Sequence, residues 1–131
     1  MSITDLLILI AEILGGSFAA TVLLYVGFFF YASAWARWDY LNIYDKIVAG
    51  TGIAIFGLFD VAFNITVGSL YYWDLDILHG RDWKKPLNWT FSTRSCVWWD
   101  QTKDKHRKHR ADIIADNLNR VVPDHIGKLT D

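Results

Sequence analysis

Two long apolar blocks, residues 6–36 and 47–73, flank ten positions where aromatic, polar and charged side chains mix. The uncharged part of the first block, 13–36, has 24 residues. As a helix it would run about 36 Å at ~1.5 Å per residue, enough to cross a hydrocarbon core of about 30 Å with modest tilt. The second block has 27 residues and one charge, Asp60, near its midpoint. Tyr31, Trp35, Trp38, Tyr40 and Tyr44 gather at one end of the pair and Tyr71, Tyr72 and Trp73 at the other, as amphipathic rings do at headgroup level. The pattern predicts an all-α membrane protein. Residues 1–73 form a two-helix transmembrane hairpin with a tight connector, and 74–131 form a cytoplasmic, amphipathic helical tail. In the tail, Thr90 or Ser92 is placed to cap a helix, and Ala111, Ile114, Ala115, Leu118 and Val122 make an apolar stripe at helical spacing that stops before Pro123.

Charge sharpens this division. Residues 13–73 hold five charged side chains, whereas 74–131 hold twenty and all four His. A soluble globule mixes these classes at the spacing of its secondary structure. A chain of 131 residues that is 53% hydrophobic, with a single Cys, is neither a disordered polymer nor a disulfide scaffold. The connector carries two basic residues and the tail eleven, so the tail and the N-terminus are expected in the cytoplasm. Ser17-Phe18-Ala19 has the small residues of a signal-peptidase site. The start lacks Lys and Arg and the apolar run continues past Ala20, which argues against cleavage.

Polar residues inside the apolar blocks are the candidates for chemistry. An acid at bilayer depth costs about 2.5–3.5 kcal/mol, so Asp60 needs a reason to be there. Asn64 is one helical turn away on the same face. The pair could line a proton or ion path in an oligomer, or act as hydrogen-bonded packing glue. Glu12 can sit at the interface. Gly16, Ala19 and Gly27 on the first block and Gly50, Gly57 and Gly68 on the second supply small faces for close helix packing, against each other or against further copies in a homo-oligomer. The sequons at Asn64 and Asn88 would lie in the membrane and in the cytoplasm, and are read as chance.

In the tail, Trp83, Trp98 and Trp99 sit among Lys84 and Lys85, a mixture suited to the anionic inner leaflet. A small core built on the same Trp side chains is the alternative, with few aliphatic residues to complete it. Lys103, Lys105, Arg107, Lys108 and Arg110 form a polybasic patch that would bind anionic lipids or a host or phage protein. The tail's net charge of +2 argues against nucleic acid. His106 and His109 with Asp112 and Asp116 make a poor metal site beside five basic residues. Cys96 in a reducing compartment is inert or acylated rather than catalytic. No nucleophile, Walker or cofactor motif is present, so neither an enzyme nor a cofactor is expected.

The stretch Phe59-Asp60-Val61-Ala62-Phe63-Asn64-Ile65-Thr66-Val67-Gly68, then Thr90-Phe91-Ser92-Thr93-Arg94, Leu118-Asn119 and Pro123-Asp124-His125, resembles small integral membrane proteins encoded by bacteriophages of Gram-negative hosts. The likeness is spread over residues 45–126. It departs at Thr93, where such proteins often carry an acid that would complete a capping box with Thr90. The resemblance implies a phage origin and the host inner membrane. A holin-like or lysis-associated role through oligomerisation is one expectation. The other is a membrane-anchored interaction or superinfection-exclusion factor acting through the basic tail.

Overall fold

The structure, a computed structural model, describes residues 1–100 and 103–127, and among these every regular element is helical. The expected tail extends to 131, so its last four residues and residues 101–102 lie outside the described part.

Helix α1, Ile3–Ala36, begins where Ser2 and Asp5 cap each other. The Asp5 N–H donates to Ser2 Oγ at 3.1 Å and the Ser2 N–H to Asp5 Oδ2 at 2.9 Å, satisfying two of the donors a helix start leaves open. A short 3-10 turn, Trp38–Tyr40, reverses the chain. Asn42 then caps helix α2, Ile43–Phe63, through the Asp45 N–H at 2.9 Å. Both helices therefore extend beyond the apolar blocks, because capping chemistry rather than hydropathy sets where they begin. α2 continues through a π-helical turn, Asn64–Gly68, into α3, Ser69–Tyr72, which stops at Trp73 in a left-handed conformation. Two long helices result, Ile3–Ala36 and Ile43–Tyr72, each long and apolar enough to cross a membrane.

Glycine and aromatic side chains interlock between them. A Cβ at Gly27 would overlap the edge of the Phe56 ring, and one at Gly52 would lie 2.7 Å from Phe30 Cε1. Gly50 faces Trp38 at 3.6 Å, and Gly68 faces Phe91 of the tail at 3.0 Å. Around Gly16 and Gly57 nothing lies within 4 Å of a Cβ, and Ala19 is exposed, so these three stand outside the contact between α1 and α2. Gly52, which was not among the expected packing glycines, takes part instead because Phe30 projects across it.

Beyond a 3-10 turn, Pro86–Trp89, the tail forms α4, Phe91–Asp100, and α5, Lys105–Val121, which Asp104 caps through the Arg107 N–H at 3.0 Å. The two helices pack on each other and onto the α2–α3 end. Residues 122–127 fold back, where Asn119 bonds both the N–H and the C=O of Ile126 at 2.8 and 3.0 Å. The core joins both parts of the chain. Leu24, Phe28, Phe63 and Tyr72 from the long helices meet Phe91, Trp98, Ile114, Leu118 and Ile126 from the tail. The apolar stripe Ala111, Ile114, Ala115 and Leu118 is thus buried in the protein, with Val122 half-buried, and Trp98, expected at the inner leaflet, is a core residue, 7% exposed. The tail alone lacks the aliphatic residues for a core, and the long helices supply them.

Gly27→Leu should force Phe56 aside and lower stability by about 1–3 kcal/mol. Gly57→Ala should leave it unchanged or slightly raised, since Ala favours helix and the site is open. Thermal unfolding in detergent, followed by circular dichroism, checks both.

Candidate functional site at the junction of the long helices and the tail

Asp60 and Asn64 share one face of α2, and both are buried, at 7% and 0% exposure. That face meets the start of α4. Asp60 Oδ1 accepts the Phe91 N–H at 3.1 Å, so a side chain 31 residues upstream serves as a cap for α4. Thr90 Oγ1 accepts the Thr93 N–H at 3.3 Å and completes the cap locally. A carboxylate at a helix N-terminus satisfies an open donor and faces the positive end of the macrodipole. Asn64 Nδ2 donates to the Trp89 carbonyl at 2.9 Å. An acid at position 93 would accept the Thr90 N–H, which here bonds the Leu87 carbonyl at 3.2 Å instead, while Asp60 brings the negative charge to the helix start from another helix.

The π-helical turn opens the backbone ladder of the second long helix at Asn64, and Arg94 enters the gap. Arg94 is fully buried. Its Nη1 lies 3.1 Å from the Asn64 carbonyl, 3.3 Å from Asn64 Oδ1 and 3.1 Å from Ser69 Oγ. Its Nη2 donates to the Asp74 carbonyl, with the Asp74 carboxylate 3.8 Å away. Tyr72 offers its ring to the guanidinium at 5.7 Å and donates its hydroxyl to Ser95 Oγ at 2.9 Å. Burial pulls the Arg94 guanidinium below its usual range, with Asp74 opposing that shift.

A second arginine closes the C-terminal end of α3. Arg107 Nε and Nη2 donate to the Tyr72 and Trp73 carbonyls, each at 2.6 Å, while its guanidinium lies 4.8 Å from the Trp98 ring centroid. These are carbonyls that a helix end leaves without intrahelical partners, and a cation there also complements the dipole. Tyr71 donates its hydroxyl to the Arg110 carbonyl at 2.8 Å, and Lys108 Nζ donates to the Trp99 carbonyl at 3.0 Å and to Asp112 at 3.2 Å. The polybasic run is therefore divided. Arg107 and Lys108 are structural contacts, whereas Lys103 and Lys105 are exposed, as are Trp83, Lys84 and Lys85 on the loop before α4. Trp99 is half-buried beneath Lys108. Glu12 is exposed on α1, away from this junction.

Residue pattern alone singled out neither Arg94 nor Ser69, Asp74 and Ser95 as site residues. Segments 59–68, 90–94, 118–119 and 123–125, separate in the chain, converge here, with Ser92 Oγ 3.1 Å from His125 Nε2. Among the described residues, no three His, Cys, Asp or Glu side chains come together as metal ligands. No known protein family, curated protein or solved structure matches the chain.

Arg94→Met should release the tail. It leaves the Asn64 and Asp74 carbonyls without a donor at about 1–3 kcal/mol each, and limited proteolysis would show cleavage within 74–127 while the long helices stay intact. Arg94→Lys should rescue little, because one ammonium cannot replace two separately aimed nitrogens. Stability should also fall with acidification. Burial holds the His79 and His125 rings below the ordinary imidazole value, although Asp74, 2.9 Å from His79 Nε2, opposes this for His79. Their contribution is complete above about pH 6.5 and is lost as pH falls through the lower folded values. Denaturation midpoints between pH 7.5 and 5.5 should drop, and His125→Gln should flatten the slope.

Proposed function

We propose that this is a phage-encoded, non-enzymatic protein of the host inner membrane, in which a two-span hairpin with both ends cytoplasmic anchors a folded cap that engages a partner at the membrane surface. The observation that supports this best is the fate of the intramembrane polar pair. Asp60 and Asn64 bond Phe91, Trp89 and Arg94 of the same chain, so they hold the cap rather than face an opening between copies. The cap keeps Lys84, Lys85 and Lys105 on its surface for anionic headgroups or an acidic protein face. An interaction or superinfection-exclusion factor uses this arrangement directly, because the hairpin holds the cap in one fixed orientation.

A holin-like assembly is the second reading. It is favoured by the open surroundings of Gly16 and by the apolar part of α1 ahead of Leu24, which has no buried residue, a surface a second copy could cover.

Inducing the protein in a Gram-negative cell and following membrane potential with a dye separates the two. The anchored-cap reading expects potential to hold while the protein fractionates with the inner membrane. It also expects Lys84→Gln with Lys85→Gln and Lys105→Gln to abolish the protein's phenotype without loss of membrane insertion. A sudden collapse at a defined time would overturn it in favour of the oligomeric opening.

A further inference from the structure

We propose that the cavity between the long helices and the cap binds one hydrophobic quaternary ammonium ion. The inference goes beyond an anchored cap and rests on the chemistry of the cavity wall. The cavity measures about 370 Å³, within the roughly 300–1,000 Å³ that accommodates small organic ligands. Phe28, Tyr31 and Phe56 of the long helices line it, together with the His125 ring of the cap. Between ring centroids, Phe28 lies 6.3 Å from Tyr31 and 4.7 Å from His125, and Tyr31 lies 6.4 Å from Phe56. The faces of such rings carry negative potential and attract a cation that has shed its water.

Charge decides what enters. Asp60 also lines the cavity, and among the described lining residues there is no Lys or Arg. Its Oδ1 accepts the Phe91 N–H, a neutral donor for a buried carboxylate. Burial holds the His125 ring below the ordinary imidazole value, so at neutral pH it adds no positive charge. The wall is thus acidic and aromatic, and a cation inside would meet both an ion partner and ring faces. The hydroxyls beside it are already committed. Thr90 and Thr93 donate to the Leu87 carbonyl at 2.8 and 2.7 Å, and Ser92 bonds His125 at 3.1 Å. A primary ammonium would need acceptors for three N–H groups, whereas a quaternary one needs none. On the two-span reading Asp60 lies deep in the bilayer, which a cation reaches only with its charge wrapped in hydrocarbon.

Titration calorimetry of the full chain in an uncharged maltoside detergent should show one benzyltriethylammonium ion bound per chain. Asp60→Asn keeps an oxygen for the Phe91 N–H, so limited proteolysis should find the cap in place. Its affinity should nevertheless fall about 30-fold or more, the loss expected when one partner of a buried charge pair is neutralised. Gly57 lines the cavity with open space where a side chain would project, so Gly57→Leu should fill it and abolish binding while the unfolding midpoint is kept. Cys96, the chain's single cysteine, also lines the cavity and reports occupancy. Its alkylation by N-ethylmaleimide should slow about tenfold at saturating cation in the wild type and not at all in Gly57→Leu, a comparison that holds even where Asp60→Asn loses the cap. Absence of binding to the wild type, or binding and Cys96 protection retained in Gly57→Leu, would overturn the site. Equal affinity in folded Asp60→Asn, or equally tight binding of uncharged tert-butylbenzene, would overturn the cationic assignment. These readings are taken on the folded chain in detergent, so their failure is distinct from a failure of the chain to insert as two spans.

Discussion

A guanidinium taken out of water needs an acceptor for each direction in which it donates, and the second long helix provides them for Arg94. An unbroken α-helix offers no free carbonyl in its middle. The π-helical turn at Asn64–Gly68 does, and Arg94 joins that opening to Ser69 and to Asp74 beyond the helix end. Replacing a buried ion network with apolar groups can be neutral, but removing one member of an existing network is severe. Arg94 and Asp60 together fix where α4 lies, and α5 is held both by α4 and by the bonds of Arg107 and Arg110 to the end of the long helix.

Two polarities of helix end are used in the same small volume. Asp60 supplies negative charge where α4 begins, and Arg107 supplies positive charge where α3 ends. Both contacts run between the long helices and the cap, so the electrostatics of helix termini, worth about 0.3–1 kcal/mol each at exposed sites and more when partly buried, are converted into tertiary structure. The cap is held mainly by hydrogen-bond direction, with a modest apolar core shared between Phe28, Phe63, Phe91 and Leu118.

Hydropathy alone revealed the two long helices, since a run of 24 uncharged residues leaves few other structures open. Asp60 and Asn64 were also visible as residues needing an explanation. Their partners were not. Periodicity locates faces within one helix, whereas Asp60 to Phe91 and Asn64 to Arg94 are pairings between helices whose register depends on the π-helical turn, for which residue spacing carries no mark. Arg107 was hidden for another reason. Within a polybasic run each cation looks alike, and only the fold turns one of them toward the Tyr72 carbonyl while leaving Lys105 outside.

The partners of the polar pair all lie downstream. The chain is made from its N-terminus, so α1 and α2 exist before Trp89, Phe91 and Arg94 have been synthesised, 25 to 31 residues later. For that interval α2 carries an acid and an amide with no tertiary partner, and within a bilayer the acid alone would cost about 2.5–3.5 kcal/mol. The second helix is thus held provisionally until its own C-terminal segment arrives. A truncation anywhere before Arg94 leaves a hairpin that can be made but not finished, and it gives the cell's proteases a physical mark of incompleteness to read.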